Sequence, residues 1–261
     1  MNTNTDTKKE NKSKIIMVHS YKGGTGKTSV SLNLAFYLAK TLKKKVLLVE
    51  QDTSGNSFTN IFKVNPEFYW NDFYSNNKSL QDLIIHLEEL DIICASTADI
   101  KIPYGQNPKS FYAKHVQRLN RQKTWLTSEY DYVIFDTRPG YTIELINSIL
   151  VTDIAILMTR LDSDTVEKSI DMYERIYAQF KSKRMILVQN QVPTPIEDLK
   201  DSSLDLDVEK AENAWNTFIN DKNLVIIPLK NEIAYSLSRS KIVPQNHVFI
   251  NYIKEIAGFF L

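Results

Sequence analysis

The chain has 261 residues, 43% hydrophobic and 24% charged, the makeup of an ordinary globular protein long enough to bury a sizeable core. Lys and Arg number 32 against 31 Asp and Glu, so a net charge of +1 gives no whole-molecule basic field, and any contact with nucleic acid or anionic membrane must come from a local patch. The one cysteine, Cys94, excludes an internal disulfide and any CxxC-type metal site within one chain, and with no run near the roughly 18 apolar residues of a membrane span, a reducing, cytoplasmic setting is expected.

Residues 1–14 are polar and lack hydrophobic periodicity, which predicts a disordered tail ahead of one folded domain over 15–261. From there, short β-branched runs alternate with segments of helical period. Strands are predicted at 15–20, 45–50, 91–95, 131–136, 153–159, 184–190 and 223–228, several of them apolar almost throughout, as strands covered on both faces must be. Helices are predicted at 27–42, 80–89, 109–127, 142–150, 165–181, 208–220, 233–240 and 248–260. Ser79 and Asp82 have capping-box spacing, and Lys43, Lys44 and Lys45 sit where a helix C-terminus attracts cations. The aromatic-rich 58–78 and the 191–207 stretch with Pro193 and Pro195 fit neither template. The alternation as a whole predicts a single-domain α/β fold, with a seven- or eight-stranded, mostly parallel sheet and helices on both faces.

The first strand runs directly into Tyr21-Lys22-Gly23-Gly24-Thr25-Gly26-Lys27-Thr28-Ser29 and a helix. A glycine loop joining a buried strand to a helix N-terminus is a place where phosphate binds, because backbone N–H groups of Gly23 through Ser29 can converge there. Lys27 can reach the β- and γ-phosphates, and the Thr28 hydroxyl can ligate Mg²⁺. Tyr21 stands where G-x-x-x-x-G-K-[ST] has its first glycine, so the strict pattern fails at that position only.

Lys22, one position before the double glycine, marks the deviant Walker A pattern K-G-G-x-G-K-T. At this point the chain resembles the ParA/MinD family of ATPases, the DNA-partition side in particular, and the likeness can be followed over most of residues 14–257. The stretch Glu50-Gln51-Asp52-Thr53-Ser54-Gly55-Asn56 is similar to the family's D-x-D-P-Q-G-N switch; this implies that Asp52 orients the attacking water and joins the metal shell, with Glu50 in place of the first aspartate. The strand ending Asp136-Thr137-Arg138-Pro139 is similar to the family's Walker B, implying that Asp136 holds Mg²⁺ through water, which suits a cation that keeps part of its hydration shell. Arg138 replaces a proline and is open between a phosphate contact, a partner subunit, a carboxylate such as Glu144 and a surface ion pair. Asn190 aligns with the asparagine that reads the adenine edge, Pro228 and Leu229 with the base pocket, and Ser240-Lys241 with a glycine-containing turn. Each of Asp52, Asp136 and Asn190 also has a plain reading as a strand-end or turn residue.

The resemblance implies ATP and Mg²⁺ as ligands and a homodimer in the ATP state, with Lys22 of each copy catalytic at the other's nucleotide beside Lys27 and Asp52. It further implies nonspecific DNA binding and a cargo-bound partner that stimulates slow turnover. Candidate DNA contacts are Arg118, Arg121 and Lys123; Lys181, Lys183 and Arg184; and Arg239 with Lys241, each group being otherwise ordinary solvated surface. A MinD-like membrane role is the rival: residues 248–261 are apolar, but Lys254 is their one Lys or Arg, and a core helix is expected there instead. A nucleotide-binding switch with little turnover is the third reading, given Glu50 and Arg138. His19, His86, His115 and His247 have no metal-binding spacing and are expected in packing or surface roles.

Overall fold

Four runs rich in Val, Ile and Leu form the centre of the sheet: β1 (Lys14–His19), β2 (Val46–Glu50), β5 (Tyr132–Asp136) and β6 (Ile154–Thr159). The computed structural model describes residues 13–55, 57–75, 78–98, 100, 102, 104–180, 184–193 and 223–261. Short β3 (Ile85–His86) and β4 (Asp91–Ile93) extend one side, β7 (Arg184–Val192) and β8 (Leu224–Pro228) the other. The eight strands lie in the order β3-β4-β2-β5-β1-β6-β7-β8, all pairs parallel except β3 with β4. Strands β2 to β5 lie on one side of β1 and β6 to β8 on the other, so the connections diverge at the C-terminal end of β1 and open a crevice there.

Apolar side chains leave the sheet on both faces, and a helical layer covers each. One core joins Ile16, Val18 and Leu48 to α1 (Lys27–Phe36), α2 (Ser57–Phe62), α7 (Asn231–Arg239) and α8 (Phe249–Gly258). The other joins Ile15, Met17 and Leu47 to α3 (Trp70–Ser75), α4 (Pro108–Glu129), α5 (Ile143–Val151) and α6 (Ser163–Arg175). The helix expected at 27–42 is α1 continued by a π-helical turn, Tyr37–Thr41, and that expected at 165–181 is α6 followed by a 3₁₀ turn, Tyr177–Phe180.

The helix predicted at 80–89 does not form. Ser79 and Asp82 do exchange their reciprocal bonds, Ser79 N–H to Asp82 Oδ2 at 2.8 Å and Asp82 N–H to Ser79 Oγ at 3.3 Å, but they cap one 3₁₀ turn, Gln81–Leu83. The chain then becomes extended and enters β3, because Ile84 packs on one core while Ile85 and Leu87 pack on the other. That is period two, and pairing of Ile85 with Ile92 outweighs the helical spacing. The unassigned aromatic segment is largely core, with Phe58, Trp70, Phe73 and Tyr74 all buried. In α8 the apolar face expected to be core is core: Phe249, Ile250, Ile253, Ile256 and Ala257 are buried against the sheet and α1. Among the described residues no helix is long and apolar enough to cross a membrane. The tail over 1–12, most of the 191–207 loop and the helix expected at 208–220 lie outside the described residues.

Asn33 shows how the fold places the far wall of the crevice. It is fully buried in α1; its Nδ2 donates to Ser29 O and Lys241 O, both at 2.7 Å, and its Oδ1 accepts from Val243 N–H at 2.9 Å. Asn33→Leu leaves the Lys241 carbonyl and the Val243 N–H without this partner, and a loss of about 2–3 kcal/mol is expected in urea unfolding. An unchanged unfolding midpoint would reject that role.

Candidate nucleotide-binding site

The loop between β1 and α1 needs glycine at two places. Gly24 has φ of 77° and Gly26 of 93°, left-handed values that side chains other than glycine adopt at a cost. At Gly26 a Cβ would also overlap the Asn190 carboxamide. Gly26 starts α1 and no side chain caps that helix, so its first N–H groups face the crevice as anion donors. The crevice is a cleft of about 560 Å³ whose lining includes Gly23, Gly24, Gly26, Lys27, Thr28 and Ser29 from the loop and helix. Asp52 and Ser54 line it after β2, and Asn190, Gln191, Pro228 and Leu229 line it from β7 and the end of β8. Thr25 is buried beneath the loop.

Behind Lys27 lies Asp136, 1% exposed at the C-terminal end of β5. Its Oδ1 accepts from Ser31 Oγ at 3.0 Å, and the Thr28 hydroxyl also hydrogen-bonds its carboxylate. Burial pushes the Asp136 carboxyl up to about 6 against the pull of Thr28, Lys27 and Ser31. Burial likewise holds the Lys27 ammonium below its ordinary value, opposed by Asp136 and then Asp52. A carboxylate and a hydroxyl beside a phosphate-type loop are hard oxygen donors of the kind Mg²⁺ takes, and the Asp136 charge wants a cation, so the residues fit that ion. Asp52 Oδ1 accepts from Ser54 N–H at 2.9 Å and from Ser54 Oγ, which shapes the turn after β2.

Glu50 has a different part from the one its alignment invites. Fully buried, it accepts at Oε1 from Ser57 N–H at 2.9 Å and Phe58 N–H at 3.2 Å, the first two donors of α2, and at Oε2 from Ala95 N–H at 2.9 Å. It tethers both ends of the segment that carries Asp52. Burial lifts its carboxyl to about 7, partly offset by the Ala95 and Phe58 N–H groups. Gln51, between the two acids, is buried and accepts from Ser148 Oγ of α5 at 2.7 Å, a link that the sequence reading missed.

Lys22 does not line the cleft. Its ammonium lies on the outer side of the loop, paired with Asp164 and, at 3.8 Å, with Asp162 at the start of α6. Neither aspartate was foreseen as a site residue, and nothing in a local pattern links them to Lys22. Asn190 has both ends of its carboxamide engaged, Nδ2 donating to Thr25 O at 2.8 Å and Oδ1 accepting from Gln191 N–H at 2.9 Å. His19 is a packing residue as expected: Thr137 Oγ1 gives its proton to Val18 O, so His19 Nδ1 donates to Thr137 at 2.7 Å, and burial lowers the imidazole to about 3.

The basic groups divide. Arg118 donates to the carbonyls of Phe73, at 2.5 Å, and Lys78, Lys123 pairs with Asp153 at 3.0 Å, and Arg184 donates to Phe259 O. Arg239 donates to Tyr235 Oη at 2.7 Å on the exposed side of α7, Arg121 is exposed on α4, and Lys241 is exposed at the cleft rim. Lys181 and Lys183 lie outside the described residues.

The two buried carboxylates set a pH dependence with a definite sign. Each binds its proton more tightly folded than unfolded, from 3.8 to about 6 for Asp136 and from 4.5 to about 7 for Glu50. Their contribution is therefore present at low pH and lost as pH rises from about 4 through about 7. Without ligand, Asp136→Asn should raise stability at pH 8 by about 1–3 kcal/mol and flatten that slope. A variant less stable than the unaltered chain at pH 8 would refute the assignment.

A model of the AAA domain family matches residues 13–188. A ParA family protein of Chlamydia pneumoniae is 31% identical over 148 residues, 55% of this chain and 57% of that protein, so the match spans little more than half of that relative. The sporulation initiation inhibitor protein Soj of Bacillus subtilis is 25% identical over 257 residues, 94% of this chain and 98% of its own. Among solved structures, the septum site-determining protein MinD of Pyrococcus horikoshii, complexed with Mg-ADP, superposes with a TM-score of 0.68 at 20% identity, covering 95% of this chain and 99% of that one. A plasmid partition protein of Borrelia burgdorferi gives 0.67 at 20% identity, covering 95% and 98%. At these identities the structural likeness is one of fold, and it does not separate the two branches. With the deviant phosphate loop, the parallel sheet diverging at β1 and the matched family model, the chain belongs to the ParA/MinD family of deviant Walker A P-loop ATPases.

Proposed function

We propose that this chain is a partition ATPase of the ParA type, which hydrolyses ATP slowly with Mg²⁺, pairs with a second copy in the ATP state and then binds DNA without sequence preference. The observation that carries the reading is the position of Lys22. Lys27 lines the cleft from within, whereas the Lys22 ammonium faces outward along α6, where a second copy placed loop to loop could receive it. The carboxylates of Asp162 and Asp164 then hold a charge that pairing must release, and exposed pairs of this kind are weak enough to exchange.

Within one copy the N–H groups of Gly23 to Ser29 cradle the phosphates, and Lys27 neutralises charge on the β- and γ-oxygens. Thr28 and Asp136 would hold Mg²⁺, which when bound would neutralise charge on the phosphates. Asp52 orients the water whose oxygen bonds to the γ-phosphorus as the bond to the bridging oxygen of ADP breaks. Lys22 of the facing copy supports the charge that develops there, and a cargo-bound partner speeds the step.

For DNA, Arg118 and Arg184 are held by backbone carbonyls and Lys123 by Asp153, which favours Arg121, Lys241 and Arg239, the last bonded to the hydroxyl of exposed Tyr235, as phosphate contacts. The buried apolar face of α8 speaks against the membrane reading, since a helix packed into a core has no free face to insert.

Lys22→Gln is expected to lower partner-stimulated hydrolysis by roughly a hundredfold while keeping ATP affinity within about threefold; unchanged turnover would defeat the role. Retention of the unaltered chain on DNA should require ATP rather than ADP and weaken steeply with salt. Binding to anionic liposomes without binding to DNA would instead favour the MinD-like branch.

A further inference from the structure

The base end of the cleft contains a backbone irregularity. Asn190 pairs with Ile227 and Val192 with Pro228, leaving Gln191 between them as the extra residue of a bulge. Its φ is 59°, in the left-handed region that residues other than glycine enter at a cost. Bulges of this sort turn a side chain away from the strand's own alternation. Gln191 lines the cleft beside Pro228, Leu229 and Ile233.

Asn190 supports this geometry. Its Nδ2 fastens Thr25 of the phosphate loop to β7, while its Oδ1 accepts the backbone N–H of Gln191 and so stabilises the bulged conformation. The two bonds fix the plane of the Asn190 carboxamide against the loop, close enough that only glycine fits at position 26. The Gln191 carboxamide has no hydrogen-bond partner among the described residues. A carboxamide offers one acceptor and one donor side by side, the pattern that matches the 6-amino group of adenine and the adjacent ring nitrogen.

We infer that Gln191 reads the adenine edge, its Oε1 accepting from the 6-amino group and its Nε2 donating to the neighbouring ring nitrogen, while Asn190 fixes the phosphate loop. Pro228, Leu229 and Ile233 supply the apolar walls for the faces of the ring. The inference rests on the proposal that ATP is the ligand, and it makes Gln191 the specificity-determining residue of that cleft.

The test compares equilibrium binding of ATP with that of purine riboside triphosphate, which is ATP without its 6-amino group, in the presence of Mg²⁺ and with no need of turnover. The unaltered chain should prefer ATP by roughly tenfold. In Gln191→Met, which keeps length, and in Gln191→Gly, which accepts the left-handed backbone without strain, the preference should disappear: ATP loses both hydrogen bonds and weakens by roughly a hundredfold, whereas the analogue, with only the ring-nitrogen bond to lose, weakens by roughly tenfold. The inference is overturned if either variant keeps the preference, which equal weakening of both ligands would amount to, or if the unaltered chain has no preference. Failure of the unaltered chain to bind either triphosphate would instead overturn the ATP reading, and this inference with it.

Discussion

A carboxylate taken out of water must be paired or protonated, and the Asp136 carboxylate is almost wholly out of water. It ends the strand next to β1, so the partners within its reach belong to the segment that follows β1: Thr28, Lys27 and Ser31. Those residues lie on the first turns of α1, which places the helix N-terminus over the crevice and draws the glycine loop above it. Lys27 is short of water for the same reason, and its ammonium and the acids around it support each other's charge. The cluster is still left with an Asp136 proton affinity well above normal, so it is incomplete as a structural ion pair. A divalent cation and a polyphosphate would complete it.

Every strand but β3 was legible to within a residue or two because burial on both faces requires unbroken apolar runs, and such runs show at the scale of five or six residues. The phosphate loop was legible because Gly24 and Gly26 occupy conformations that other residues adopt at a cost. Leu83-Ile84-Ile85-His86-Leu87 was misread since five residues fit period two and period 3.6 almost equally, and only Ile92 across the sheet decides between them. The aromatic stretch at 58–78 was illegible for a related reason: Trp70 packs on Phe135 of the sheet and Phe73 lies under Arg118 of α4, neither of them local. In the site, the acids and lysines could be named from their motif, but their partners could not. Asn190 meets Thr25 across 165 residues and Asn33 meets Lys241 across 208, and no pattern within either segment announces the other.

The cations illustrate the difference between charge in a sequence and charge on a surface. Arg118 stacks 4.4 Å over the Phe73 ring while holding two carbonyls, which anchors α3 to α4. Lys123 satisfies Asp153, whose other oxygen accepts the Ile15 N–H at the start of β1, so that pair closes the bottom of the sheet. Such groups would have to give up interior bonds before meeting a phosphate. A near-neutral chain that binds a polyanion must therefore concentrate its remaining free cations, and pairing two copies is one way to double them on one face.

Glu50 shows how a departure from a family pattern can still serve the site. An aspartate at the end of β2 would reach less far by one methylene; the longer arm lets one oxygen meet the start of α2 and the other the Ala95 N–H beyond β4. The segment from Gln51 to α2 is thus fixed at both ends, and Gln51 is held from below by Ser148. What lies between is a short arch in which Asp52, lining the cleft, accepts from Ser54 N–H and Oγ. Moving the ends of that arch would strip hydrogen bonds from a buried carboxylate. The longer side chain thus makes Glu50 a backbone tether, with Asp52 lining the cleft and Asp136 buried behind Lys27.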